Sequence, residues 1–169
     1  MKYLLSIIFI ILGAITPSIC IVRSIQFTQE CEGYLKQAAD ANTPDLAVQR
    51  LNKAIEYVEE NNLTNGYTSI FYRTEDENIE FWYNNMIACR DELLNCKSST
   101  QLEQTNVLIK VRESLLDEGS SRGSVAYSDV TLPNGISRYP HNLLFLILNC
   151  VSFILLLIGF LSFVPVKDA

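Results

Sequence analysis

The side chains with the widest chemical repertoire in this sequence are three cysteines, one histidine and a short acidic run. Cys31, Cys89 and Cys96 lie between two apolar ends, which hold the other thiols, Cys20 and Cys150. Three thiols permit one disulfide with one left over if their compartment is oxidising. No Cys-x-x-Cys occurs to suggest a zinc or redox motif. Cys89 and Cys96 stand two helical turns apart, about 10 Å, too far to bridge each other within a helix. Either could reach Cys31. If buried, the same three are small hydrophobes with unreactive thiols. His141, the single histidine, sits beside an apolar segment, where a turn residue is expected rather than a general base. Glu75-Asp76-Glu77 lacks an Asp-x-Asp-x-Asp-Gly loop and a neighbouring histidine, so it reads as an acid-rich helix start and not a metal site. There is no glycine-rich phosphate loop, no Gly-x-Ser-x-Gly and no Cys/His set with metal spacing. The expectation is a chain without catalytic, cofactor-binding or metal-binding residues.

The elements that position these residues begin with the apolar ends. Residues 143–164 carry no charged side chain. As a helix they cover about 33 Å, enough to cross the hydrocarbon core of a bilayer of roughly 30 Å. Residues 3–22 form a second apolar run between Lys2 and Arg23. It reads as a retained transmembrane helix or as a signal peptide cleaved after Cys20. Either way both termini stay inside and the middle region crosses to the extracytoplasmic side of the cell (inner or plasma) membrane. If both spans are retained, Ser6, Gly13 and Thr16 on the first and Asn149, Ser152 and Gly159 on the second form small or polar stripes. Paired antiparallel, these would bring Thr16 and Ser18 near Asn149 and Ser6 near Ser162, since small residues let membrane helices approach closely. Another protein's helix is the alternative occupant of the stripe.

The middle region is acidic, within a chain of 13 Lys/Arg against 19 Asp/Glu and net charge −6. That excludes a nucleic-acid footprint, which must be basic. Residues 23–41 continue as helix with Phe27, Cys31, Leu35 and Ala38 in line. Thr43 caps, and Pro44 opens, a helix over 44–61 with Val48, Leu51, Ile55 and Val58 inward. Asn65-Gly66 is a helix-ending signal, and Asn62-Leu63-Thr64 fits a glycosylation acceptor. Residues 67–73 read as extended. A helix over 77–97 follows, with Thr74 as its cap and Ile79, Trp82, Met86, Cys89, Leu93 and Cys96 as a coiled-coil-like seam. Thr100 and Glu103 form a capping box for a fourth helix ending at Gly119, with Leu102, Thr105, Leu108, Val111 and Leu115 inward. Residues 125–132 offer a short strand whose mate would be Ile70–Tyr72.

The expected fold is mainly α: an antiparallel four-helix bundle (23–118) flanked by apolar segments at 1–22 and 143–164. A turn-rich linker (119–142), a short two-stranded element near the membrane and a tail (165–169) complete it. Tyr67, Phe71, Tyr72, Phe81, Trp82 and Tyr83 would gather as an aromatic patch, an interfacial belt or a docking site.

Gly66-Tyr67-Thr68-Ser69, Phe81-Trp82-Tyr83-Asn84, Ala38-Ala39-Asp40-Ala41-Asn42-Thr43 and Pro133-Asn134-Gly135-Ile136 together resemble a group of uncharacterised bacterial membrane proteins. The resemblance implies a bacterial envelope and no activity. The functional expectation is a non-enzymatic, membrane-anchored bundle that binds a protein partner or senses a condition; its small-molecule ligand, if any, is not specified by the sequence. The alternatives are an accessory subunit recruited through its transmembrane helices and a thiol-redox role for Cys31, Cys89 and Cys96.

Overall fold

The computed structural model describes residues 2–96, 100–118 and 128–161. The chain is mainly helical, with a small two-stranded sheet, and divides into two compact units. One comprises Met1–Ile25 with Ser137–Ala169, the other Gln26–Ile136.

The first unit is built on α1 (Lys2–Phe27) and α6 (Asn142–Leu161). Among the described residues, two helices are long and apolar enough to cross a membrane, with mean hydropathy 2.1 within Ser6–Ala39 and 2.8 within Asn142–Leu161. Their outer faces expose Ile11, Ile21, Phe153 and Phe160, a surface suited to lipid and costly in water. Pro17 lies inside α1, where it removes one backbone donor, and Ser18 Oγ donates to the Ala14 carbonyl at 2.8 Å.

Helix continues beyond α1 through a wide turn, Thr28–Glu32, into α2 (Gly33–Ala39). In this π-type turn the Gly33 amide reaches back five residues to the Thr28 carbonyl. The apolar spacing explains it. A regular helix advances about 100° per residue, so each step of four drifts by about 40°. Phe27, Cys31 and Leu35 are two such steps, and the wide turn cancels the drift. All three are buried, as is Ala38.

Helix α3 (Pro44–Glu60) starts as the sequence predicts: Thr43 accepts from the Leu46 amide and Pro44 fills the first position. Val48, Leu51, Ile55 and Val58 are buried. It ends earlier than Asn65-Gly66, through Asn62 at φ +56°. Helix α4 (Ile79–Asn95), with the residue that ends it, Cys96, buries all six seam residues. Its cap is Asn78, which accepts from the Phe81 amide, and not Thr74. Thr74 instead hydrogen-bonds Glu77 across the short 3₁₀ turn Glu75–Glu77. Helix α5 (Gln101–Leu115) opens with the expected Thr100/Glu103 capping box. Only its second half is core: Val111 and Leu115 are buried, whereas Leu102 and Thr105 are exposed. Helix α3 packs on α2 and α4, and α5 packs on α4 and α2.

The sheet differs from expectation. Strand β1 (Leu116–Glu118) follows α5 directly and pairs antiparallel with β2 (Ser128–Val130), not with Ile70–Tyr72. Extended chain near residue 70 makes only a bridge, Tyr67 with Asn78. The turn-rich segment is also divided. Residues 128–136 belong to the helical unit, anchored where the Thr131 amide donates to the Leu115 carbonyl at 2.9 Å. Helix α5 ends at Leu115 rather than at Gly119, because β1 begins at the next residue. The first part of the expected strand (125–127), Ser162 and the tail 165–169 lie outside the described residues.

Candidate functional site

The helical unit contains a cavity of about 380 Å³. Its apolar wall is Phe81, Trp82, Met86, Leu115 and Pro133, drawn from the start of α4, the end of α5 and the segment after β2. Trp82 is buried, and its indole N–H donates to the Thr131 carbonyl at 2.9 Å, which fixes both the ring and that segment. Carboxylates line the opening: Glu75 and Asp76 from the 3₁₀ turn and Asp117 from β1. Asp129 stands opposite Asp117 in the strand ladder, a juxtaposition of like charges that ordinarily destabilises a sheet. The Asp129 carboxylate turns back to accept from the Val130 amide at 3.0 Å. Among the described residues no lysine, arginine or histidine lines the cavity, and no ion pair engages Glu75, Asp76 or Asp117.

The six aromatic residues of the expected patch make different contacts. Phe81 and Trp82 form the cavity wall. Tyr83 donates to Glu59 at 2.6 Å, which holds its phenol above the usual range. Tyr67 lies beneath the Arg73 guanidinium, 5.7 Å from ring centre to cation. Phe71 and Tyr72 stand out at 79% and 67% exposure.

The stripe residues of the apolar helices meet within their own unit. A Cβ on Gly13 would lie 2.8 Å from the Ser152 carbonyl, and one on Gly159 would lie 3.1 Å from the Ser6 carbonyl. Ser6 and Ser152 are buried. Asn149 reaches Cys20, at 3.7 Å, rather than Thr16 or Ser18, and Thr16 is half-buried. Arg23 donates to the Tyr139 carbonyl at 3.3 Å and lies over the Phe145 ring. His141, exposed, takes part through its backbone, donating to the Arg138 carbonyl.

All five cysteines are free thiols. Cys31, Cys89 and Cys96 are buried, Cys31 completely. Burial, reinforced by the neighbouring Glu32 charge, pushes the Cys31 thiol far above its ordinary 9.0, and burial also raises Cys89. The folded chain therefore keeps its protons where the unfolded chain releases them. Stability is unaffected by these thiols below pH 9.0 and falls as pH rises beyond it. Unfolding midpoints in urea should decline above that pH, and Cys31→Ala should make the decline shallower. An unchanged slope in that variant would refute the assignment.

Sequence reasoning missed the cavity because four separate stretches of the chain build it; the one local signal was an acidic triplet four residues ahead of an aromatic pair. Among described residues no group of three His, Cys, Asp or Glu is placed to hold a metal ion. Comparison of the chain with family profiles, curated proteins and solved structures gives no match, so the cavity and the paired apolar helices are the features from which a function can be read.

Proposed function

We propose that this chain is an integral membrane protein of the cell (inner or plasma) membrane that works by binding, not catalysis, and that its ligand is a small organic cation with an apolar body. The helical unit is read as an antiparallel four-helix bundle held on the extracytoplasmic side, with α1 retained as a span. Support for the bundle is the cycle of neighbours α2–α3–α4–α5–α2. Support for retention is the close fit of Gly13 and Gly159, which a cleaved leader would leave unused. The acidic middle region is no obstacle to that side, because long loops translocate largely regardless of charge.

The observation that carries the ligand class is the cavity's composition. Among the described residues, three carboxylates without a counter-cation line the cavity beside indole, phenyl and thioether groups. An ammonium or guanidinium group gains from both, through ion pairing and from the aromatic faces at about 0.5–2 kcal/mol. The remaining polar groups suit recognition: the Ser114 hydroxyl already donates to the Lys110 carbonyl at 2.9 Å, and no histidine is present to activate it. Recruitment to a membrane complex through Asn149, Ser152 and Gly159 has less support, since that stripe already faces α1. A thiol-redox role has less still, with the three central thiols buried.

Trp82 is the single tryptophan, so intrinsic emission reads the cavity directly. Titrating the full chain in detergent with phenethylamine should change that emission saturably. The doubly substituted Glu75→Gln, Asp76→Asn protein should bind at least about tenfold more weakly, as expected for lost charge-assisted contacts. Equal binding of the uncharged alcohol analogue, or no saturable change across alkyl and aryl amines, would overturn the assignment.

A further inference from the structure

We infer that the loop between α3 and α4 dips its tip, Ile70, Phe71 and Tyr72, into the headgroup layer of the bilayer that α1 and α6 cross. The inference shares the membrane placement of those helices with the proposed function but does not depend on the cavity's ligand.

The loop is built as a projection. Its neck is closed by the Tyr67–Asn78 bridge, with the Thr68 amide donating to Glu77 and the Ile79 amide to Gly66, each at 3.0 Å. At the tip the Ser69 hydroxyl accepts from the amides of Phe71 and Tyr72, at 3.3 and 3.0 Å, so the aromatic pair is ordered before it meets any partner. What this ordered tip presents is apolar: Ile70 is 44% exposed, Phe71 79% and Tyr72 67%. Arg73 follows, held over the Tyr67 ring. An exposed apolar pair, Ile70 and Phe71, beside a tyrosine with a polar tip and a cation that can meet phosphate, is the composition of a membrane–water interface.

The position of the loop within its own unit names the bilayer as occupant. The helical unit continues into the apolar helices at Gln26 and at Ile136. Phe27 packs edge-on against Tyr57 near the end of α3, at 6.0 Å between ring centres. Thr131, five residues before Ile136, is bonded to Trp82 at the start of α4. Tyr83 bonds Glu59, so the end of α3 and the start of α4 lie together. Both exits therefore leave from the end of the unit that carries the loop. Gln101 and Gln104 mark the opposite end, where they border a second cavity with the Asn42–Asp45 turn. Glu75, Asp76 and Glu77 on the returning limb are acidic, which selects a zwitterionic surface over an anionic one.

The test reconstitutes the full chain in phosphatidylcholine vesicles and adds one reporter at a time: Phe71→Trp, with Tyr72→Trp as an independent second position and Leu102→Trp as the control at the far end. The added emission of the two loop variants should fall about twofold with lipids brominated near the glycerol end of their acyl chains, and acrylamide in water should reach them poorly. Leu102→Trp should behave in the opposite way. Anionic vesicles should reduce the lipid quenching. If both loop reporters are quenched by acrylamide like the control and ignored by brominated lipid, the inference is wrong. Shielding from both quenchers that grows with protein concentration would assign the tip to a second copy and equally overturn it. Failure of the chain to enter vesicles at all would instead sink the anchoring on which the proposed function rests.

Discussion

Gly13→Leu is expected to separate α1 from α6. At that position a Cβ would already stand 2.8 Å from the Ser152 carbonyl oxygen and 2.8 Å from Leu156 Cγ. The first of these is backbone and cannot swing aside, so a leucine must displace one helix from the other. Overpacking of this kind costs about 1–3 kcal/mol in well-packed interiors. Within a bilayer there is little to offset the cost, because lipid solvates the parted helices as well as they solvate each other. The readout uses the native Cys20, which lies 3.7 Å from the Asn149 amide. In an Asn149→Cys background, mild oxidation should yield a linked Cys20–149 peptide pair, quantified by mass spectrometry. Adding Gly13→Leu should reduce the yield to background. Ala14→Leu, one residue along on an exposed position, should leave it unchanged. A full yield in the Gly13 variant would mean that the two helices do not meet through this face.

Trp82→Ala should be the most damaging single change in the helical unit. The residue is buried, it is the largest side chain of the α4 seam, and its N–H donates the bond that fastens Thr131. Truncating a buried aromatic residue costs about 3–5 kcal/mol, a large part of the 5–15 kcal/mol that stabilises a typical domain. Trp82→Phe keeps much of the ring volume and loses chiefly the hydrogen bond, worth about 1 kcal/mol. Urea unfolding followed by far-ultraviolet circular dichroism should order the three proteins accordingly, wild type above Phe above Ala. If the Ala and Phe variants unfold at the same urea concentration, the indole is not packed as described.

The contrast between α4 and α5 shows what could be read from the sequence. Along α4 and its cap residue Cys96, six apolar residues recur at steps of three and four, and all six are buried. The same periodicity in α5 misleads at its start, because Gln104, Thr105 and Leu108 border an open cavity beside Asn42–Asp45 instead of a packed neighbour. Periodicity reports which face a helix would bury, not whether anything comes to cover it. The strands failed for a different reason. Three-residue strands carry too little pattern to choose a partner, and the observed ladder sets Asp117 against Asp129, which sequence logic argues against. Proximity along the chain decided it, since a nearer partner costs less closure entropy than one beyond α4 and α5. The aromatic cluster was legible as composition, but Trp82 and Phe71 were sent to different surroundings by the hydrogen bonds of Thr131 and Ser69.

The wide turn at Thr28–Glu32 gives the rod from Lys2 to Ala39 one surplus residue. Such a surplus can shift along a rod by trading a five-residue hydrogen bond for a four-residue one, peptide by peptide, so that torque on one side is taken up without fracture. Gly33 stands just past it, where even a methyl would press to 3.1 Å on the Thr28 oxygen. Twisting of the α1 side of the rod would thus be geared down before it reaches Leu35, as by a slipping clutch rather than a rigid shaft.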